Sequence, residues 1–508
     1  MLLHMLLRRF SPEISLAGLA DVEVRGVRED SRQVRPGDLF IARAGTKTDG
    51  RRFVADAKTR GAVAVVTTEP IDAPLLPQVV VRDAWSAASG LAQLLLGEPS
   101  KAIQMLGITG TNGKTTTTYL IRHILGSVNR RCGVIGTVEI DDGQTRREAN
   151  MTTPGGVELA ELLAAMRDNG CGVCAMEVSS HALDQGRVAR IEFAGAAFTN
   201  LTGDHLDYHK TMENYAAAKA RLFESLAPSA AAIVNANDPW SERMVHDCSA
   251  RVIRFGFGSQ GDYRAKDIVS SPQGSRFTLV APDGQASVAM RLIGLHNVAN
   301  ALTAAALVGE VCGLSVEQIA SALADAEGAP GRLQAVRCGQ PFAVLVDYAH
   351  TDDALENVLK ALRPLTGNKL RVLLGCGGDR DRTKRPRMAA VAERLADVVY
   401  LTSDNPRTEN PQGIIDEIVS GLSADVELVG GTRSVASSPS ATGKRTAVFV
   451  DVDRRSAIER SLADAQEGDV VLLAGKGHEN YQIIGTEKRH FDDVEEATRV
   501  LNRQMAAA

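Results

Sequence analysis

Short apolar runs alternate with stretches of helical period along most of the chain. Apolar runs bounded by turn residues are typical of buried strands, whereas apolar positions three and four apart indicate helices. Strands that alternate with helices predict a parallel, doubly wound sheet. The predicted strands are residues 38–42, 62–67, 78–81, 105–109, 172–178, 195–200, 231–235, 342–347, 370–375, 398–402 and 469–474.

The same pattern divides the 508 residues into three blocks, in line with about 150 residues per domain. Residues 1–99 predict a small N-terminal α/β domain with one apolar helix at 84–96. Residues 100–337 predict a central doubly wound parallel sheet, and residues 338–508 a C-terminal Rossmann-like α/β domain. The Gly/Ser/Thr-rich stretch 430–444 has no periodicity, which predicts a flexible surface loop.

A glycine-rich loop stands between a predicted strand and a helix at residues 107–116, G-I-T-G-T-N-G-K-T-T. In such a loop, glycines let backbone N–H groups turn toward phosphate oxygens, and the following helix N-terminus favours negative charge. Lys114 is expected to reach the β- and γ-phosphates, and the Thr115 hydroxyl to bind Mg²⁺. Ile108 stands where the general pattern has its first glycine. The loop predicts ATP or GTP with Mg²⁺, and makes the central block a P-loop ATPase-like domain.

Composition and charge narrow the classes of function. The chain is 44% hydrophobic and 23% charged, which is ordinary for a soluble globular protein. A formal net charge of −5 gives no electrostatic case for nucleic acid. The first ten residues lack a secretory h-region and cleavage site, and no run of about 18 apolar residues could span a bilayer. We expect a cytoplasmic monomer with no membrane segment.

The seven cysteines are scattered and odd in number, which argues against a disulfide framework. Cys171 and Cys174 form a C-x-x-C that could be redox-active or half of a zinc site. They lie in the apolar run C-G-V-C-A-M-E-V, and no second pair stands at zinc-finger spacing. The favoured interpretation is a buried strand.

The loop form G-T-N-G-K-T-T is found in the Mur ligases and the folylpolyglutamate synthetases, and further motifs follow in the order that those ligases use. They are E-V-S-S-H at 177–181, D-H-L-D-Y-H at 204–209, Asn297 and Asn300, G-R at 331–332, and D-Y-A-H at 347–350. The chain therefore resembles a Mur ligase over nearly its whole length. The resemblance implies an ATP-dependent amino acid ligase of bacterial cell-wall synthesis.

Several residue roles follow from this resemblance alone. The implied catalytic residues are Lys114, Glu177, His205 and Lys219. The implied ATP contacts are Gly110, Thr111, Asn112, Gly113, Lys114, Thr115, Thr116, Asn300 at the adenine, Arg332 at the phosphates and Asp347 at the ribose. The implied Mg²⁺ ligands are Thr115, Glu177, His205 and Lys219, the last as its carbamate, N6-carboxylysine.

Without the resemblance, some of these residues have other interpretations. His205 and His209, four apart, could form a zinc pair or a solvated pair. Lys219 would be a solvated helix lysine, and Asn297 a structural polar residue of a helix.

The resemblance also implies a UDP-linked muramoyl dipeptide, UDP-N-acetylmuramoyl-L-alanyl-D-glutamate, as the substrate that is extended. The implied contacts are Ser31, Thr46, Lys47, Thr48, Thr152, Thr153, Ser179, Gln185 and Arg187. Hydroxyl and amide groups with one guanidinium suit a ligand that carries carboxylates. The segment around Ser31, D-S-R-Q-V-R-P-G-D-L-F, could instead be a polar turn between strands.

The motif D-N-P-R at 404–407 follows a predicted strand and, by resemblance, marks selection of meso-diaminopimelate as the added amino acid. The implied contacts are Arg380, Asp404, Asn405, Pro406, Arg407, Gly475 and Glu479. A guanidinium pairs with the second carboxylate of diaminopimelate in a two-pronged geometry, and it would repel the side-chain ammonium of lysine. Taken alone, the charge run 379–387 would be a solvated face.

The implied reaction phosphorylates a carboxylate with ATP as co-substrate and then forms an amide. Rival interpretations of the same architecture are ligases that add lysine, D-alanyl-D-alanine, or glutamate to folate. A P-loop motor or transport ATPase is the rival from another class. One departure from the family pattern is Asp352, at a position where the family usually has proline, which leaves the local turn geometry open.

Overall fold

The computed structural model describes residues 1–43, 48–72, 75–423, 426–429 and 446–507. The chain divides into two compact units. The first unit comprises Met1–Lys266, Thr278–Ser287 and Ala299–Leu323, and the second comprises Asp267–Phe277, Val288–Val298 and Ala324–Ala508. Within the described ranges, every helix is too short or too polar to span a bilayer. The predicted loop 430–444 lies outside the described residues.

Twelve helices and fifteen strands lie in the described part of the chain up to residue 323. The helices are α1 (Leu3–Phe10), α2 (Val54–Thr59), α3 (Ala84–Leu95), α4 (Pro99–Ala102), α5 (Lys114–Ser127), α6 (Gly156–Asp168), α7 (Ser180–Asp184), α8 (Leu206–His209), α9 (Met212–Glu224), α10 (Ser241–Val245), α11 (Leu295–Cys312) and α12 (Val316–Leu323). The strands are β1 (Gly26–Arg28), β2 (Asp38–Ile41), β3 (Ala64–Thr67), β4 (Gln78–Val80), β5 (Gln104–Thr109), β6 (Cys132–Ile135), β7 (Glu139–Asp141), β8 (Arg146–Glu148), β9 (Val173–Glu177), β10 (Phe193–Phe198), β11 (Ala231–Asn235), β12 (Arg251–Phe257), β13 (Tyr263–Ser271), β14 (Gly274–Ala281) and β15 (Gly284–Met290).

These strands form two sheets. Strands β1 to β4 make a parallel sheet in chain order. The other eleven have the order β15-β14-β13-β12-β11-β10-β5-β9-β6-β7-β8, and the run from β13 to β6 is parallel. Strand β5 lies between β9 and β10. Beyond β9 the sheet continues to β6, and beyond β10 it continues to β11, so the strand order reverses at β5. In such sheets, ligands bind at the carboxyl ends of the strands where the order reverses. The phosphate loop, residues 107–116, begins in the last residues of β5 and ends in the first turn of α5.

The second unit has its own sheet. Its helices are α13 (Asp352–Leu362), α14 (Lys384–Leu395), α15 (Pro411–Val419), α16 (Arg454–Ala463) and α17 (Asp493–Ala507). Its strands are β16 (Gln334–Val336), β17 (Ala343–Asp347), β18 (Leu370–Leu374), β19 (Val398–Leu401), β20 (Glu427–Val429), β21 (Ala447–Val450), β22 (Val470–Ala474), β23 (Tyr481–Ile484) and β24 (Glu487–His490). The order is β16-β17-β22-β18-β19-β21-β20, parallel except for β16, and β23 pairs with β24 as a hairpin.

Buried aliphatic side chains hold the second sheet between two layers of helices. Strands β18, β19 and β22 are buried along their whole length, as expected of parallel strands covered by helices on both faces. One face packs Leu355, Leu359 and Leu362 of α13 into the core. The other face packs Ile458 and Leu462 of α16. The apolar positions three and four apart in these helices are the reason that they lie on the sheet.

All eleven strands predicted from the sequence are confirmed to within a few residues, as is the helix at 84–96. The C-x-x-C is buried as expected: Cys174 lies in β9, Cys171 lies just before it, and both thiols have a raised pKa because of burial. Among the described residues, no group of three or more His, Cys, Asp or Glu side chains is arranged to hold a metal ion. Because a raised pKa keeps both thiols protonated, the pair has the character of a structural, buried cysteine pair.

Candidate active site

The conformation of the phosphate loop depends on glycines with positive φ and on close contacts with the end of a neighbouring strand. Gly110 has φ 144° and Gly113 has φ 88°, conformations that side-chain-bearing residues rarely adopt. A Cβ on Gly110 would collide with the Thr199 hydroxyl, and a Cβ on Gly113 with the Asn300 side-chain oxygen. Asn300, the predicted adenine contact, therefore lies against the end of the loop.

The end of β10 clamps the tip of this loop. The Thr199 hydroxyl and the Asn200 amide both donate to the Asn112 carbonyl, at 2.6 Å and 3.1 Å. The Asn112 N–H in turn donates to the Asn200 side-chain oxygen at 3.0 Å. Sequence reasoning missed Thr199 and Asn200. The signal available was their place at the carboxyl end of a strand predicted beside the loop.

Lys114 begins α5 and turns back over the loop. Its ammonium donates to the Gly110 and Thr111 carbonyls at 2.9 Å and 2.8 Å. Thr115 and Thr116 are buried in the first turn of the same helix. This arrangement combines a lysine, loop amides and a helix N-terminus, which is a geometry suited to an anionic phosphate chain.

Glu177 ends β9 beside the loop, where it pairs with Ile108 of β5. The carboxylate is fully buried, and Thr137 donates to both of its oxygens, through its N–H at 2.8 Å and its hydroxyl at 3.0 Å. A Cβ on Gly136 would collide with this carboxylate in its present position, so the glycine leaves room for it. Each oxygen retains acceptor capacity, as a metal ligand needs. Thr137 was not predicted from the sequence.

Lys219 lies on α9, and its side chain is completely buried. Its ammonium donates to the Gly110 carbonyl at 2.9 Å and lies 4.5 Å from the centroid of the Tyr215 ring. Burial, and then the neighbouring Lys114 ammonium, hold the pKa of Lys219 well below its usual value. The interpretation as a solvated helix lysine is therefore wrong, because this amine has no access to water.

The two histidines of the D-H-L-D-Y-H motif have different surroundings. His205 is exposed, with φ 54°, and its ring lies 4.9 Å from that of His181. His209 is buried and hydrogen bonds to the Ser180 hydroxyl at 2.9 Å. Burial lowers the pKa of His209. The interpretation as a solvated pair is therefore wrong for His209, which is buried against Ser180.

A second group of predicted residues surrounds the start of α7. Thr153 donates to the Glu177 carbonyl at 2.8 Å and accepts from the Ser179 N–H at 3.0 Å. The Thr152 and Thr137 hydroxyls lie 3.0 Å apart. Thr153 therefore connects this group to the Glu177 backbone, and Thr152 connects it to Thr137, which holds the Glu177 carboxylate.

Arg187 is hydrogen bonded to two residues of the same group. It donates to the Thr153 carbonyl at 2.8 Å and to the Gln185 side-chain oxygen at 2.6 Å and 2.9 Å. Burial, and then the nearby Arg43, lower the pKa of Arg187. Two guanidiniums close enough to repel each other form a local basic surface within a chain of net negative charge, and such a surface favours an anionic ligand.

Arg43 extends this basic surface into the N-terminal part of the first unit. Its guanidinium lies 3.4 Å from the Trp85 ring centroid and donates to Glu29 at 2.7 Å. Ser31 is buried in a short 3₁₀ turn, Ser31–Gln33, which is capped by Asp30. Thr48 is exposed, and the predicted contacts Thr46 and Lys47 lie outside the described residues. Arg43 and Trp85 were not predicted.

In the second unit, Asp347 ends β17, and its carboxylate accepts the N–H groups of Leu333 and Ala349, both at 2.8 Å. Burial raises the pKa of this carboxyl group. The Arg332 guanidinium lies 5.0 Å from the Tyr348 ring centroid. Burial and the Arg332 charge lower the pKa of the adjacent His478 to about 4, which keeps that imidazole neutral at neutral pH.

The D-N-P-R segment follows β19 as predicted. Arg407 has φ 50°, and its guanidinium donates to the Gly378 carbonyl at 2.8 Å. Its backbone pairs with the β23–β24 hairpin, through Ile483 at 3.0 Å and Gly485 at 2.7 Å. Arg380 is exposed. A Cβ on Gly377 would lie 2.8 Å from the Arg407 guanidinium and 3.8 Å from the Arg380 Cγ, so both arginine side chains lie close to this glycine.

Carboxylates lie next to these arginines. Asn405 donates to Glu479 at 2.8 Å, and buried Lys476 lies 3.5 Å from Asp404 and 3.8 Å from Glu479. Burial, and then the Asp404 charge, raise the pKa of Glu479. Gly475 has φ 112° at the end of β22. The adjacent strand ends thus gather two arginines, one lysine and two carboxylates, and this mixture suits a ligand that carries both signs of charge.

Known protein families match the chain in three consecutive segments. They are the Mur ligase family catalytic domain at residues 23–95, the Mur ligase middle domain at 108–308 and the Mur ligase glutamate ligase domain at 331–477. A protein of Gloeobacter violaceus named UDP-N-acetylmuramoyl-L-alanyl-D-glutamate--2,6-diaminopimelate ligase is 42% identical, over 99% of each chain. The chain belongs to the Mur ligase family.

Other relatives agree with this assignment. A Thermosynechococcus vestitus protein of the same name is 44% identical over 95% of this chain and 94% of its own. A solved structure described as that ligase is 34% identical, with a TM-score of 0.72, and covers 98% of this chain and 99% of its own. A Thermotoga maritima MurF ligase solved with ADP is 19% identical with a TM-score of 0.60, which shows the shared fold.

In this Mur ligase, the first unit brings most of the predicted residues together around the phosphate loop. Lys219 bonds to the loop, Asn300 lies against it, and Glu177 ends the adjoining strand. Arg380, Arg407 and Glu479 gather at neighbouring strand ends of the second unit. Asp352 is the first residue of α13, whose N-cap Thr351 accepts the Ala354 N–H. The Asp352 departure therefore leaves an ordinary capped helix start.

Proposed function

We propose that this Mur ligase joins meso-diaminopimelate to UDP-N-acetylmuramoyl-L-alanyl-D-glutamate with ATP, in peptidoglycan synthesis. The observation that carries the proposal is the pair Arg380 and Arg407, whose side chains both approach the Cβ position of Gly377, with the Arg407 charge acting on the nearby Glu479 carboxyl group. Relatives that are 42–44% identical over nearly the whole chain bear the name of this ligase. The three domains would be residues 1–99, 100–337 and 338–508.

ATP would bind along the phosphate loop. The loop N–H groups that are not bonded to Asn200 would face the phosphates, and Lys114 would exchange its carbonyl partners for phosphate oxygens. Asn300 would contact the adenine, Asp347 the ribose and Arg332 the phosphates. The MurF relative bound to ADP has the same fold, which supports nucleotide use.

Mg²⁺ fits the donors around the loop. Thr115 offers a hydroxyl, Glu177 a buried carboxylate with acceptor capacity left, and His205 an exposed imidazole. Mg²⁺ usually takes one or two protein carboxylates and completes its shell with phosphates and water, so a group of several acidic side chains is not required. When bound, the ion neutralises charge that gathers between phosphate and carboxylate.

Lys219 would act as a carbamate. Its depressed pKa keeps a larger fraction of the amine neutral, and only a neutral amine reacts with CO₂. Carbamylation would turn the repulsion between Lys219 and Lys114 into an attraction and add a carboxylate-like ligand for a cation.

The muramoyl dipeptide would lie along the basic surface of the first unit. Arg187 would pair with a substrate carboxylate, with Thr152, Thr153, Ser179 and Gln185 as hydrogen-bonding neighbours. Ser31 and the segment Thr46, Lys47 and Thr48 would contact the uridine nucleotide. The local charge of Arg43 and Arg187 provides the attraction for this anionic substrate.

In the second unit, Arg407 and Arg380 would bind the distal carboxylate of diaminopimelate, and Glu479 its distal ammonium. Asp404, Asn405, Pro406 and Gly475 would complete the contacts. Asn405 holds the Glu479 carboxylate through a 2.8 Å hydrogen bond, which fixes an anionic acceptor for the ammonium. Lysine has no distal carboxylate for the guanidiniums, so it would bind poorly.

The chemistry would occur in two balanced steps. A glutamyl carboxylate oxygen bonds to the γ-phosphorus of ATP while the bond to the bridging oxygen breaks, which releases ADP. The amine nitrogen then attacks the carbonyl carbon, the bond from carbon to the phosphate oxygen breaks, and phosphate leaves as the amine loses its proton. The protein contributes orientation and charge neutralisation.

The remaining expectations are a monomer, a cytoplasmic location and no nucleic-acid partner. A lysine-adding ligase is the nearest alternative, and a motor ATPase is the alternative from another class. Offering diaminopimelate and lysine together, with ATP and the UDP-dipeptide, tests the proposal by the mass of the product. The expected product is almost entirely the diaminopimelate tripeptide, and equal amounts of the two tripeptides would refute the specificity.

A further inference from the structure

Arg385, at the start of α14, is completely buried although it carries a charge. Its guanidinium makes a two-pronged pair with Glu409, at 2.9 Å and 2.8 Å, and also donates to Glu417 at 2.8 Å. It donates in addition to the Gly377 carbonyl at 3.2 Å. Gly377 is the residue that the Arg380 and Arg407 side chains both approach.

Glu409 links Arg385 to the segment that precedes Arg380. One of its oxygens also accepts the Asp379 N–H at 2.6 Å. Asp379 in turn accepts the Thr408 hydroxyl at 2.8 Å and the Thr408 N–H at 3.2 Å. The Arg385–Glu409 pair therefore bonds to the segment before Arg380 and, through Asp379, to the residue after Arg407.

The two segments so joined are in direct contact. The Gly378 N–H donates to the Asn405 carbonyl at 2.9 Å, and a Cβ on Gly378 would collide with the Pro406 carbonyl. Asp379 and Arg407 both have positive φ, at 54° and 50°, which costs free energy in residues that bear side chains. Bonds from neighbouring groups are needed to hold these backbone conformations.

We propose that the Arg385–Glu409 pair is a positioning element that sets the spacing of Arg380 and Arg407, and through them the preference for an amino acid with a second carboxylate. This inference rests on the proposed function, which assigns Arg380 and Arg407 to the substrate. Neither Arg385 nor Glu409 needs to touch the substrate. The planar fork of Arg385 is required, because a lysine ammonium cannot make two parallel bonds to a carboxylate and a third to a carbonyl.

The direct test is Arg385→Lys, which keeps the charge and removes the fork. We expect the KM for diaminopimelate to rise about tenfold or more, with kcat within about threefold and the KM for ATP unchanged. The ratio of diaminopimelate to lysine incorporated should fall in parallel.

The matched control is Arg371→Lys. Arg371 is also buried and bonds to Asp469 at 2.6 Å and Tyr400 at 3.1 Å, but it lies near the amino end of β18, away from the strand ends with D-N-P-R. This change should lower thermal stability and leave the KM for diaminopimelate unaltered. A wild-type KM and amino acid ratio in Arg385→Lys would overturn the proposal.

Thr408→Val provides a test that does not disturb buried charge. It removes the Thr408 hydroxyl bond to Asp379 at an exposed position, and we expect the KM for diaminopimelate to rise about threefold. An unchanged KM in this variant overturns the proposal even if Arg385→Lys fails to fold. Equal use of lysine and diaminopimelate by the unaltered protein would instead refute the proposed function.

Discussion

Lys219 combines complete burial with a side chain that is normally charged, and its neighbour Lys114 makes that charge less favourable still. Because its pKa is depressed, the neutral fraction of this amine rises at a lower pH than in an ordinary lysine. The carbamate should therefore form near neutral pH at this lysine and not at exposed ones.

We predict that ¹³C-bicarbonate gives the protein a carbamate signal in ¹³C NMR, and that Lys219→Ala loses it together with about a hundredfold or more of kcat. Lys210→Ala, at an exposed position nearby, should retain both signal and activity. A signal that persists in Lys219→Ala would assign the carbamate elsewhere.

Arg407 is the residue on which specificity depends most. Arg407→Ala should raise the KM for diaminopimelate about 10- to 100-fold, because a charge-assisted bond is lost at a half-buried site, while the KM for ATP stays nearly constant. Steady-state kinetics with each substrate varied in turn measures this. An equal rise in both constants would show that the variant disturbs the fold and not the amino acid site.

At the residue scale, the sequence identified side chains at strand ends but not the groups that support them. Glu177 could be predicted because it ends an apolar strand beside the loop. Thr137, which holds both of its oxygens, lies 40 residues away in the chain and has no motif. Hydrogen-bond partners of this kind depend on tertiary contacts, which periodicity and spacing do not encode.

At the scale of elements, the phosphate loop depends on two glycines with positive φ. Gly110→Ala should weaken ATP binding at least tenfold, because the added methyl collides with the Thr199 hydroxyl in a backbone conformation that alanine avoids. Gly126→Ala is the matched control, since it lies in α5 with open space around its Cβ position. This control should raise the free energy of unfolding by about 0.5–1 kcal/mol.

Isothermal titration calorimetry with a non-hydrolysable ATP analogue measures the nucleotide affinity of both variants, and thermal unfolding measures their stability. Unchanged nucleotide affinity in Gly110→Ala would contradict the role given to the loop geometry.

The elements that the sequence did not reveal have weak local signals. Strand β8 reads Arg-Arg-Glu and is wholly exposed, so no apolar run marks it. Strand β13 is only partly buried, and β1 and β16 are three residues long. Helix α1 had a usable signal, because Leu3, Leu6 and Leu7 are spaced for one helix face and are buried.

At the scale of the whole molecule, the α/β class and the parallel sheets followed from buried strands alternating with helices. The activity did not follow from that pattern, because the same sheet supports many chemistries. The order of motifs along the chain, from the phosphate loop to D-N-P-R, was enough to imply the family. The partition of the predicted residues between two compact units depends on tertiary contacts, which the order of motifs does not contain.

The account predicts that the dipeptide carboxylate is phosphorylated before the amide forms, and oxygen labelling tests this most directly. UDP-N-acetylmuramoyl-L-alanyl-D-glutamate with ¹⁸O in the reacting carboxylate is incubated with ATP, Mg²⁺ and diaminopimelate, and the released phosphate is analysed by mass spectrometry. The expected result is one ¹⁸O in each phosphate released with an amide. Unlabelled phosphate, or ADP formed without any new amide, would contradict the account.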